Sequence, residues 1–440
     1  MQPTSRATSL PLVLTLLVLV LLLGITASSG LDGQALNAAR QKLRGEPHRE
    51  AGGTHEQGET MDGLSAQDWF ARGETAQTRG DLQEAINAWQ TALQRGAPPA
   101  QVYPHLAGAH RRLGNLDRLA EDLRFLTSDQ PADPVWQYQL GLVQALLQPE
   151  AARAHLVLAA ELDPHLAPDI RILERGFATA RLSDDPAFQM VASGRALAAV
   201  GEWQLAEAAF TRATLLRPDY AEAWAFLGEA RRQTGEDGFV ELQKAVTLDS
   251  HSISANTLLG LYWQQSGRLD LALVYLDAAA RLDRRNPVLQ TALGSLLAQQ
   301  GNLPAALVHY QRAAEMVPRD PTYWRALANF TIEYEIQVRE VGLPAARSGV
   351  LLDSTDPASL DTMAQIYVLL GNPGIAHRFL KRALVADPGY APARLHLGLV
   401  FLLYGNSVKA REQFHLAQAL APAGSTVEEQ TRRLLLNLRP

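Results

Sequence analysis

"AFQMVASGRALAAVGEWQLAEAAFTRATLLRP", residues 187 to 218, decides the fold. It holds two apolar stretches at helical spacing, parted at Gly201 and closed by Pro218. Glycine takes the left-handed conformation at a helix end without penalty, so Gly201 stops the first helix. Proline cannot continue a helix interior, so Pro218 stops the second. In the second stretch Ala206, Phe210 and Ala213 follow a four-then-three spacing, which puts all three on one helical face. Gly194 lies mid-way along the first stretch, where a close helix crossing leaves no room for a larger side chain. The segment reads as helix, tight turn, helix.

The same unit recurs along the chain. Copies begin near residues 66, 100, 133, 187, 221, 253, 287, 321, 357 and 391, in steps of 34, 33, 54, 34, 32, 34, 34, 36 and 34. The small residue returns as Gly73, Gly228, Gly260, Gly294, Ala364 and Gly398. The turn glycine returns as Gly80, Gly114, Gly235, Gly267, Gly301, Gly371 and Gly405. The bulky residue of the second helix returns as Trp89, Leu276, Tyr310, Leu380 and Phe414. A period of 34 with these positions in phase resembles the tetratricopeptide repeat, over about residues 66 to 422.

That resemblance implies an all-α fold, a right-handed superhelical solenoid of about ten helix-turn-helix units, with an inner groove lined by the first helix of each unit. Three units are expected over 65–164 and seven over 187–422. The step of 54 marks a non-repeat insertion at 165–186, expected to hold one helix from about Pro168 to Leu182 and to act as a hinge. The eighth copy lacks a turn glycine and is expected to have a longer first helix. Residues 423–440, opened by Ser425, are expected to form a capping helix.

Binding is the function such an array implies, and the groove-facing places of the first helices supply the candidate residues. Arg232, Gln233, Gln264, Gln265, Ser295, Gln299, Arg325 and Asn329 give a polar stretch, suited to an extended peptide or a glycan. Phe70, Arg111, Glu229 and Thr257 fall on equivalent places. The stretch "LHLGLVFLLYG", residues 395 to 405, breaks the polar series. There Leu395, Leu399, Leu402 and Leu403 occupy the groove places. Either the final helix covers them with Val427, Leu434, Leu435 and Leu438, or a partner's amphipathic helix does.

Ahead of the repeats stands "LPLVLTLLVLVLLLGITA", Leu10 to Ala27, without a charge. Its length suits a membrane-spanning helix, which needs about 17–25 residues. The expected state is a single-pass anchor at residues 10–27, with the bulk of the chain outside the cytoplasm. Cleavage after the run, giving a secreted or periplasmic protein, is the alternative. Residues 28–64 are rich in Gly, Glu, Gln and Ser, and read as a flexible linker.

Composition narrows the chemistry. The 440 residues are 47% hydrophobic and 20% charged, with a net charge of −6. Interspersed charges of both signs give no footprint for nucleic acid. The absence of cysteine removes disulfides, thiolate chemistry and cysteine zinc sites. No phosphate loop, serine elbow, HExxH pair or dinucleotide fingerprint occurs. No catalytic, cofactor-binding or metal-ligating residues are therefore expected, and the expected partner is a protein, peptide or amphipathic helix. Three functions remain in order: a membrane-tethered scaffold; an accessory subunit of envelope polysaccharide, pilus or secretion machinery, which anchored bacterial repeat proteins of this kind often are; and an enzyme.

Overall fold

The eight turn glycines all adopt the left-handed conformation, with φ from 66° at Gly114 to 104° at Gly235. A side chain at these places would strain the turn, and here the sequence places none. The structure, a computed structural model, describes residues 63–438. Among these residues the fold is all-α, 22 helices in chain order with no strand. Before the insertion lie α1 (Ala66–Arg79) and α2 (Leu82–Gln94), α3 (Pro99–Arg112) and α4 (Leu116–Asp129), and α5 (Pro134–Leu147) and α6 (Pro149–Leu162). The inserted helix is α7 (Ala167–Ala180). Then follow α8 (Pro186–Ala199) and α9 (Trp203–Leu216), α10 (Ala221–Thr234) and α11 (Phe239–Leu248), and α12 (Ile253–Gln265) and α13 (Leu269–Leu282). The last four pairs are α14 (Pro287–Gln299) with α15 (Leu303–Met316), α16 (Pro321–Glu333) with α17 (Leu343–Leu352), α18 (Pro357–Leu369) with α19 (Pro373–Ala386), and α20 (Ala391–Leu403) with α21 (Ser407–Leu420). Helix α22 (Thr426–Asn437) ends the series. No helix among the described residues is long and apolar enough to cross a membrane. The expected anchor at 10–27 and most of the linker lie outside the described residues.

Two recurrent positions of the sequence prove to be halves of one contact. A Cβ on Gly73 would lie 2.3 Å from Trp89 Nε1, one on Gly194 2.6 Å from Phe210 Cε1, and one on Gly398 2.4 Å from Phe414 Cε1. The small residue of the first helix is the socket for the bulky residue of the second. Trp89, Phe210 and Phe414 are each fully buried as a result. The fifth pair makes this contact differently. Its copy is two residues short, α11 is only ten residues long, and the seated side chain is Leu242. There a Cβ on Gly228 would meet the Gly238 carbonyl oxygen and Leu242 Cγ, both at 2.7 Å, so backbone and side chain fill the socket together.

The described chain divides into two compact units between Leu258 and Leu259, within α12. The insertion lies inside the first unit, so its residues are not where the units part. On one side of the inserted helix a pocket of about 280 Å³ opens toward the third pair, lined by Leu156 of α6 and by Glu174 and Phe177 of α7. Ile170, Leu173 and Phe177 of α7 are buried, and a Cβ on Gly176 would sit 2.2 Å from the Ala196 Cβ of α8. The inserted helix packs closely on α8 and less closely on α6.

The eighth pair corrects a second expectation. Helix α16 is no longer than its counterparts, at 13 residues. The chain leaves it through Glu335 and Gln337, at φ 51° and 44°. A π-helical turn over Val338–Gly342 then leads into α17. Two non-glycine residues in the left-handed region do the work of the missing glycine, and the extra residues go into the turn. Gly342 restores the close approach, since a Cβ there would lie 2.2 Å from Thr331 Oγ1.

Candidate functional site

In the second compact unit each first helix touches the next: α14 meets α16, α16 meets α18, and α18 meets α20. Residues at equivalent places in successive pairs therefore form one continuous surface. Side-chain bonds run along it. Gln264 Nε2 donates to Ser295 Oγ at 3.3 Å. Thr362 Oγ1 donates to Asn329 Oδ1 at 3.0 Å. Arg325 Nη1 reaches Asp356 Oδ2 at 2.6 Å. Asp356 is also the cap of α18, accepting from the backbone amides of Ala358 and Ser359. Arg325 is thereby held by the structure and does not join Asn329 in a clamp for a ligand.

The expected groove residues fall into three groups. Gln265 and Asn329 are exposed, and Ser295, Gln299 and Arg325 are half-buried. These can meet a partner. Gln264 and Thr257 are buried, and Thr257 Oγ1 is satisfied by the Ile253 carbonyl one turn back. In the first unit Gln233 is exposed and donates through Nε2 to Glu229 Oε1 at 2.7 Å. Arg232 pairs with Glu229 at 3.1 Å. Glu229 itself is buried. Phe70 is buried too, edge-on to His105 with ring centres 5.0 Å apart. Arg111 is buried and bonds to Gln139, Glu202 and Gln204, three residues of other pairs. His110 also turns inward, to Asp122 at 2.6 Å. Among the described residues no three His, Asp or Glu side chains gather closely enough to hold a metal ion.

At the C-terminal end the surface turns apolar. Leu395 is buried with Ala410, Phe414 and Ala417, while Leu399, Phe401 and Leu402 pack against that core. From the other side come Val427, Leu434, Leu435 and Leu438 of the final helix and its end. Ser425 caps α22, its hydroxyl accepting from the Glu428 amide at 3.3 Å. The cover is partial, because Leu403 stays exposed. Between α18, α20 and α22 remains a cavity of about 480 Å³, lined by Val368, Leu369, Leu380, Leu395, Leu399 and Leu434, with Gln365, His396, Gln430 and Arg433 as its polar groups. Its size falls in the range of ligand sites, about 300–1,000 Å³. The leucines of this end were legible in the sequence. The stand-off of α22 that leaves the space was not.

One ion pair backs the cavity, with His396 in its lining and buried Asp361 behind it. His396 Nδ1 donates to Asp361 Oδ1 at 2.7 Å, and Gln365 Nε2 donates to Asp361 Oδ2 at 3.1 Å. Burial pushes the His396 pKa down, but the charge and hydrogen bond of Asp361 outweigh it, and the net shift is upward from 6.5. A raised histidine pKa adds stability that is complete below the unfolded value and disappears as pH rises through the folded value. The C-terminal pairs are accordingly expected to exchange amide hydrogens faster as pH climbs above about 6.5, after correction for intrinsic exchange rates. A His396→Gln variant should lose that dependence, and an identical pH profile in the variant would count against the pair as its source.

Comparison with known proteins agrees with this architecture. Residues 70–134, 191–237 and 362–425 match one family model described as "Tetratricopeptide repeat", and residues 264–330 match another of the same description. Together they span more than half of the chain. No curated protein matches. Among solved structures, yeast Tom70 is 15% identical with a TM-score of 0.46, covering 85% of this chain and 95% of that one. A tetratricopeptide repeat protein from Parabacteroides merdae is 14% identical with a TM-score of 0.45, covering 57% and 98%. Pseudomonas aeruginosa pilF is 18% identical with a TM-score of 0.38, covering 50% and 99%. At such values the likenesses say nothing about what this chain binds.

Proposed function

Because the chain belongs to the tetratricopeptide-repeat family, we propose that it is a scaffold that binds a protein partner along its first helices and performs no catalysis itself. The direct contact of α14, α16, α18 and α20 carries the reading, since it merges their polar places into one surface. Asn329 on α16 is its exposed amide, and exposed Gln265 on α12 stands beside Gln264, which bonds to Ser295 of α14. An extended peptide offers alternating backbone donors and acceptors, and amide side chains can answer both. Residues 10–27 tether this scaffold to a membrane, with the repeats outside the cytoplasm. The uninterrupted apolar run supports that placement. Work within envelope polysaccharide, pilus or secretion machinery is a narrower form of the same reading, and the identity of the partner decides it.

Photo-crosslinking in cells tests the proposal. A benzophenone side chain placed at Gln265 or at Asn329 should give discrete protein adducts. The same probe at Val274, exposed on the second helix α13, should give none. Equal adducts from all three positions, or none from the first two, would overturn the groove as the binding face. Protease added to intact cells or spheroplasts should digest the repeats, and their full protection would reverse the proposed orientation.

A further inference from the structure

The cavity between α18, α20 and α22 has a chemical bias that a protein-binding groove does not require. Its wall is aliphatic, with Leu380, Leu395, Leu399 and Leu434 around it. Its charged lining groups are His396 and Arg433, and no carboxylate lines it. Behind the lining, buried Asp361 is turned to His396 and favours the imidazolium form. Arg433 stands at the rim with an exposed side chain, touched by Glu429 one turn back in α22. The volume of about 480 Å³ lies within the range of small-ligand sites, about 300–1,000 Å³, and admits a medium-length hydrocarbon chain.

We propose that this cavity binds a single-chain aliphatic carboxylate, with its hydrocarbon chain among the leucines and its head at the Arg433 rim. Apolar surface gains by leaving water and supplies most of the affinity, while the carboxylate adds a modest, solvent-screened contact with the guanidinium at the open edge. A cationic amphiphile of the same length would bring its charge against Arg433. A neutral side chain of a partner would not compete with Glu429 for Arg433. An acid can take that place, because an exposed ion pair one turn apart on a helix is weak. This site stands apart from the peptide surface proposed above, and crosslinking at Gln265 and Asn329 does not depend on it.

Calorimetric titration of the full-length chain with dodecanoate, below its micelle concentration, tests the assignment. One equivalent should bind saturably, and dodecyltrimethylammonium should bind at least about tenfold more weakly. Leu399→Trp fills the cavity and should weaken dodecanoate by about tenfold or more, and Val368→Trp should do the same from the facing wall. Circular dichroism shows which of the two variants is folded and can be read. Arg433→Glu should reverse the preference between acid and cation. No saturable binding, equal affinity for the two head groups, or full affinity in a folded cavity-filling variant would overturn the proposal. Adsorption to residues 10–27 would survive the cavity variants and is counted against it.

Discussion

Replacing Arg111 by Met is expected to destabilise the first compact unit by about 3 kcal/mol. Arg111 and Glu202 are both buried, with side chains 9% and 3% exposed, and they pair directly. Arg111 Nε also donates to Gln204 Oε1 at 3.2 Å. Removing one partner of such a pair costs about 3–5 kcal/mol, because the other charge stays buried and unpaired. The lower end applies here. Glu202 stands at the amino terminus of α9, where the helix dipole offsets part of the orphaned charge. Arg111→Met with Glu202→Gln should recover at least half of the loss. Stability in a repeat array is local to neighbouring units. Hydrogen exchange should therefore quicken in α3, α5, α8 and α9, with α18 to α22 unchanged. A loss below about 0.5 kcal/mol would place the pair among solvated surface contacts.

The second large effect lies at the other end. Phe414→Ala is expected to cost about 3–5 kcal/mol, the range for truncating a buried aromatic ring. Phe414 has no exposed surface, and its ring fills the socket over Gly398. It also belongs to the core on which Leu434 and Leu435 pack. Loss of protection should therefore extend from α20 and α21 into α22, while α14 and α15 keep theirs. Phe414→Leu should recover more than half. Gly398→Ala should cost about 1–3 kcal/mol beside Phe414, as overpacking does, and much less in the Phe414→Leu background. Additive losses in that double variant would show that the two residues do not share a contact.

The sequence revealed those elements whose physics is local. A turn that needs positive φ leaves a glycine, and eight did so in phase. A close crossing leaves a small residue, and its bulky counterpart sits at a fixed distance along the chain. Three kinds of feature escaped. Glu335 and Gln337 take the left-handed region without the residue type that announces it, so the exit from α16 was misread as a longer helix. Arg111 and Glu202 lie 91 residues apart, and a repeat register marks which face a residue is on but not which charge meets it there. Glu229 and Thr257 hold groove places by periodicity yet are buried, each bonded within its own helix. The candidate surface was thus legible as a row of positions, and only partly as a row of accessible side chains.

The fifth pair gives the array a mechanical grading. In the pairs on either side a ring or a leucine is seated in the neighbouring helix, and sliding one helix past the other means lifting that side chain out. Between α10 and α11 Leu242 is seated over Gly228 in the same way, with the Gly238 carbonyl beside it, but α11 has ten residues where α9 and α13 have fourteen. Under tension along the chain, as when a bound load is pulled away from a fixed point, shear at that pair has about one turn less of helix to drag. That pair yields before its two neighbours.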